Sequence, residues 1–191
     1  MDGGAPIFVA HRAGAHRTGG ASGRGALGHK MKWVLRNLPN ALAIFMAVIF
    51  IDSLFYKFSD DPKTQQIFGL LDGWAGSIGA PGLFGRTGLF SQYVIGSIET
   101  LASILLLIGI LPRLHHVQAL GALAGVLVML GAVNFHLFTP LGVDPNHDGG
   151  GLFIAACTNL VFGLALLFGF RRKALAFAVG RLITVFAPAP N

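Results

Sequence analysis

LFSQYVIGSIETLASILLLIGIL, residues 89–111, is 23 residues of almost unbroken apolar sequence with one carboxylate, Glu99, near its middle. About 20 apolar residues, rising about 1.5 Å each, cross a hydrocarbon core of roughly 30 Å, so the stretch reads as a transmembrane helix. An ionisable side chain inside such a span costs roughly 2.5–3.5 kcal/mol on insertion scales, and by default it faces a partner or a cavity. Glu99 is therefore the first candidate site residue, and what surrounds it matters most.

Composition agrees. Hydrophobic residues make up 53% of the 191-residue chain and charged residues 12%, with a mean hydropathy of +0.67, where a soluble domain carries about 25% charged residues. The net charge of +6 and pI near 10.1 do not point to nucleic acid, because the basic residues sit in tails and short connections without an aromatic-interleaved basic face. The single cysteine, Cys157, lies in an apolar run, which excludes an intrachain disulfide, a CxxC redox pair and a thiolate metal cluster.

Working outward, Pro112 ends the central span, and the short connection at residues 112–116 allows only an antiparallel return. Residues 117–138 form the third span, where Gly121 and Gly125 make a GxxxG pair through which the chain could oligomerise. A polar turn at 139–151 follows, with Asp148 placed as the cap of the fourth span, 151–170. Residues 171–173, all basic, stop that span, and 174–191 read as an interfacial helix and tail. In the other direction, residues 40–58 form the first span, interrupted by Asp52 and closed by the interfacial anchor Tyr56-Lys57-Phe58. Between the first two spans, Asp61-Pro62 reads as a helix start, and the spacing of Ile67, Leu70, Leu71 and Trp74 predicts an amphipathic helix over 64–78 lying on the membrane. Residues 1–30 are rich in Gly, Arg and His and read as a disordered extension, with Met31 having the look of a natural beginning. The fold expected is all-α: an antiparallel bundle of four transmembrane helices over 31–173, plus one surface helix in the first outer connection.

Lys and Arg stay cytoplasmic in short flanking segments. Eleven of them precede the first span, lie in the second connection or follow the last span, against Lys57, Lys63 and Arg86 on the other side. Both termini are expected to be cytoplasmic. At about 1.5 Å per residue, Asp52 then lies about 9 Å, Asn159 about 12 Å, His136 about 3 Å and Glu99 about 8–15 Å from the outer ends of their spans. With Asn134 and Lys57, these residues compose an expected polar layer contributed by all four helices. Two carboxylates in one apolar layer cannot both ionise cheaply, so one is expected to be protonated or paired with Lys57 or His136. The layer reads either as a proton-handling or ligand-binding pocket or as hydrogen bonding that fixes helix register. His136, His147 and Asp148 are residue types that bind metal, but Asp148 before three glycines reads as a cap, and no metal site is assigned.

Glu99-Thr-Leu-Ala-Ser-Ile-Leu-Leu-Leu-Ile-Gly109, followed by Arg113, resembles the second-helix pattern of DoxX-like membrane proteins, and Lys57 resembles the lysine that closes their first helix. The glycine that such proteins carry a few residues before this lysine is replaced here by Ser53 and Leu54. The resemblance implies a four-helix protein of a prokaryotic inner membrane, with Lys57, Glu99, Gly109 and Arg113 as the positions carried over. It also implies a link to quinone-coupled oxidation, with membrane redox-complex subunits as candidate partners beside the lipid bilayer; the residues themselves imply no cofactor, and quinone is the candidate that the resemblance offers. The leading expectation is an accessory or small subunit of such a system. The alternatives are a small proton-coupled transporter or channel that uses Glu99 as its protonatable group, and a quinone-dependent enzyme, for which the sequence offers no self-contained catalytic or cofactor motif.

Overall fold

The computed structural model describes Met1 and residues 21–186, and every element among them is helical. The chain divides into two units, residues 1–36 and 37–191, and the candidate site lies in the second. Helix α1 spans Ala21–Phe58, α2 Pro62–Ser77, α3 Gln92–Ile108, α4 His115–Phe138 and α5 Gly151–Leu164. Helix α5 continues through six residues of π-helix, Ala165–Phe170, into α6, Arg172–Phe186. Residues 21–30, the part of the expected 1–30 extension that falls among the described residues, are helical and continuous with the apolar part of α1. Residues 2–20, where the rest of that expectation falls, lie outside the described residues.

Among the described residues, three helices are long and apolar enough to cross a membrane by length and composition: Lys30–Phe58, His115–Phe138 and Gly151–Phe170. The stretch that led the sequence reading is shorter than expected. It gives an apolar helix of 17 residues rather than 23, because Ser91 caps it by accepting from the Val94 amide and Gly109 ends it. At Gly109 the next helix passes so close that a Cβ would lie 2.3 Å from the backbone nitrogen of Gln118.

Helix α4 packs against α3, α5 and α6. The core is built from small and medium side chains: Ala43, Met46, Ala47 and Phe50 of α1, Ala102 and Leu106 of α3, and Ala119, Ala122, Val126 and Met129 of α4. Lipid tails are as apolar as leucine, so close van der Waals approach has to supply the association energy that water would otherwise drive. The GxxxG pair serves this purpose inside the chain, which corrects its assignment to oligomerisation. Gly121 is buried where a Cβ would meet the Leu106 nitrogen at 2.7 Å and the Ala102 oxygen at 2.9 Å, and Gly125 faces Phe50 and Met46.

Helix α2 starts where Asp61-Pro62 predicts, with the Asp61 carboxylate accepting from the Lys63 amide at 2.9 Å. Part of its apolar side is covered within the chain. Leu71 and Ala75 pack with Phe84 and Leu141 in a second small core, with Trp74 and Phe135 beside them, while Leu70 remains exposed. The Asp148 carboxylate accepts from the amide of Gly151, the first residue of α5, at 3.0 Å.

Candidate functional site

Glu99 sits one turn after Gly96 on α3, and α1 faces it with Ser53 and Lys57, four residues apart and hence on one helix face. Lys57 Nζ lies 3.0 Å from Glu99 Oε2 and donates to Oε1 at 3.2 Å. Ser53 Oγ donates to Oε2 at 2.7 Å and accepts from Lys57 Nζ at 2.9 Å. The side chains of Glu99 and Lys57 are 3% and 14% exposed. A closed triad of this kind places a carboxylate and an ammonium in an apolar layer with no net charge, which is the arrangement that makes such groups tolerable in lipid. Gly96 gives the triad its space, since a Cβ there would meet Phe58 at 3.2 Å and the Lys57 stem at 3.5 Å.

The other residues of the expected polar layer do not join it. Asp52 is exposed on α1 and makes no hydrogen bond or ion pair among the described residues, and Asn134 is exposed and donates to the Leu130 carbonyl of its own helix at 2.7 Å. His136 is buried, with Nδ1 2.6 Å from the Gly142 carbonyl and its ring against Phe153, so it ties down the loop after α4. Asn159 is fully buried and reaches the Met46 carbonyl at 3.5 Å, leaving its own Oδ1 without a hydrogen-bond partner. The pairing of Glu99 with Lys57 is the element of the layer that the geometry assembles. No three of His, Cys, Asp and Glu come together as a metal-binding group among the described residues.

Two further polar groupings emerge only in three dimensions. Just beyond the triad, Gln92 donates to the Lys57 carbonyl at 2.8 Å and to Asp60 at 2.6 Å, and Asp60 also accepts from Tyr93 and, at 3.3 Å each, from Gln65 and Arg86. The Tyr93 hydroxyl holds the Asp60 carboxyl below its ordinary range; partial desolvation opposes this and the Arg86 charge assists it. This knot joins the end of α1, the start of α2 and the start of α3. It borders a cavity of about 150 Å3 walled by Phe68, Asp72, Phe84, Arg86 and Tyr93.

At the opposite end, Arg171 Nε donates to Gln118 Oε1 at 2.6 Å and Arg171 Nη2 to Asn40 Oδ1 at 3.3 Å, while Gln118 Nε2 donates to the same Asn40 oxygen at 3.3 Å. Asn40, Gln118 and Arg171 each lie near the end of an apolar run, and that shared position is the sequence signal that could have grouped them.

The residues that carry the resemblance are now placed: Lys57 and Glu99 form one ion pair, Gly109 is the close-contact turn against Gln118, and Arg113 is exposed before α4. The DoxX family model matches residues 40–139, just over half of the chain. The chain belongs to the DoxX family. No curated protein and no solved structure is matched. The matched range opens at Asn40 and closes at Thr139, so the triad, the Asp60 knot and Gly109 belong to the DoxX region, while α5, Arg171 and α6 lie beyond it.

Proposed function

We propose that this DoxX-family membrane protein is a non-catalytic accessory subunit of a quinone-linked redox system in a prokaryotic inner membrane. In this reading α3 is a fourth span, at 17 residues about 26 Å long, in an antiparallel bundle with both termini cytoplasmic and α2 resting on the outer membrane surface. One observation carries the subunit reading: Asp52 is exposed, without a hydrogen-bond or ion-pair partner among the described residues, on a helix apolar enough to span. It lies about 9 Å from the end of that helix. A carboxylate facing lipid at that depth is costly, and a neighbouring membrane helix that donates hydrogen bonds to it removes the cost.

The triad is already closed on itself, with both Glu99 oxygens engaged and two Lys57 donor contacts in use. It therefore offers a quinone headgroup few free donors, and Asn159 Oδ1 is sealed in the core. These residues do not fit a resident quinone, so the reading places quinone in the partner. The same closure lowers the support for a proton-coupled transporter gated at Glu99.

The test is copurification of the tagged full chain from native membranes, with pH-dependent flux measured in liposomes. Stable membrane subunits with associated quinone are expected, and Asp52→Leu should lose those subunits while the chain itself still accumulates. A protein that purifies alone and carries pH-dependent flux, or an Asp52→Leu variant that keeps its partners, would overturn the reading.

A further inference from the structure

Every carboxylate of the described residues lies within an apolar helix or at the end where Lys57 sits: Asp52, Asp60, Asp61, Asp72, Glu99, Asp144 and Asp148. Among the described residues the Arg171 end has none. Arg171, immediately after the Gly151–Phe170 span, is half-buried and bonded to two neutral amides, Gln118 and Asn40, and burial pushes its guanidinium below the ordinary arginine value. Arg172 and Lys173 follow it, exposed, at the start of α6, and Arg113 is exposed two residues before α4, the helix whose Gln118 Arg171 bonds.

The position of α6 brings these residues to one rim. Its Ala178 is buried, and its Phe177 ring lies 5.7 Å from that of His116 in the first turn of α4. Ala174 and Leu175 also pack against the core, whereas Phe177, Val179, Leu182 and Ile183 of α6 are exposed, and Arg181 stands over the Phe177 ring at 6.0 Å. Four cations beside exposed apolar side chains, directly at the end of a membrane-length helix, match one occupant in both charge and depth: a negatively charged phosphate whose acyl chains continue along the protein.

We propose that the Arg171 end is a binding site for the phosphate of an anionic phospholipid. Arg171 forms its fixed base, Arg113, Arg172 and Lys173 supply the mobile charges, and the apolar face of α6 lies against the acyl region. Ligand binding to the folded state raises the melting temperature by mass action. The full chain in a neutral detergent is therefore melted with phosphatidylglycerol, with phosphatidylcholine and with inorganic phosphate. Phosphatidylglycerol alone should raise the midpoint, by about 2–4 °C or more. The variant Arg113→Gln/Arg172→Gln/Lys173→Gln changes only exposed residues and should keep the basal midpoint while losing at least half of the rise; if it does not accumulate, Arg172→Gln/Lys173→Gln serves in its place. Lys63→Gln, at the other end, should retain the full rise. An equal response to phosphatidylcholine assigns the effect to the acyl chains, a response to inorganic phosphate assigns it to any free anion, and an undiminished rise in the basic-residue variant removes the site. Each of these outcomes overturns the proposal.

Discussion

Glu99→Gln keeps shape and some hydrogen bonding but leaves the Lys57 ammonium facing a neutral amide 3% exposed to solvent. Breaking a fully buried ion pair by removing one partner costs about 3–5 kcal/mol, because the other charge stays desolvated. Lys57 retains 14% exposure near the end of its helix and can shift towards water, so the expected loss lies at about 3 kcal/mol or somewhat less. Lys57→Met should be similarly harmful, and the double variant Lys57→Met/Glu99→Gln should lose much less than the two single losses added together. Thermal melts of the four proteins in one detergent give that coupling directly, and additive losses would show that the pair is not an energetic unit. The sequence made Glu99 conspicuous because a lone carboxylate in an apolar run needs a partner. It did not place Asp52 on the outer face, because the exposed Phe45 and Val48 are as apolar as the buried Met46 and Phe50. When both lipid and core are apolar, hydrophobic periodicity no longer marks which side faces in.

Between elements, glycines and one charged knot set the geometry. Gly121→Ala would press a methyl group against the Leu106 nitrogen and the Ala102 oxygen, both backbone atoms that cannot rotate away. Forcing α3 from α4 should destabilise by about 1–3 kcal/mol, whereas Gly131→Ala on the same helix meets nothing nearer than Phe135 at 3.8 Å and should be neutral or better. Reversed melting temperatures for the two variants would show that the contact yields. The Asp60 knot adds a pH dependence. Its carboxyl is lowered chiefly by Tyr93, so its stabilisation is complete above the ordinary carboxylate value and is lost as pH falls from there through the lowered folded-state value. The stability gap between the wild-type protein and Tyr93→Phe should thus be widest near neutral pH and narrow on acidification below about 4. A gap that is constant with pH would mean that Tyr93 acts by packing alone. The cap and first-turn proline at Asp61-Pro62 were legible because they act locally; the knot was not, since it joins residues 60, 65, 86, 92 and 93 from four segments of chain.

Across the whole molecule, hydrogen bonds order the helix ends. Gln92 binds the Lys57 carbonyl, so α3 starts where α1 finishes, and Gln118 and Arg171 both meet Asn40, so α4 starts and α5 finishes at the other end of α1's second-unit portion. The connections of α1 to α3 and of α4 to α5 therefore share one end, and that end holds Asp60, Asp61, Asp72, Asp144 and Asp148, while among the described residues the charged groups of the Arg171 end are cations. Membrane insertion reads this same asymmetry, because positive charge close to a span resists translocation and carboxylates contribute little. In a Cys157→Ala background, single cysteines at residues 65 and 145 are thus expected to react with an impermeant thiol reagent in intact cells. A cysteine at residue 175 should react only after the membrane is opened. If α3, at 17 residues, fails to cross, the chain has three crossings and residues 65 and 145 fall on opposite sides. Labelling at 65 or at 145 but not both would therefore show that the shortened helix is not a span, and labelling at 175 alone would invert the orientation.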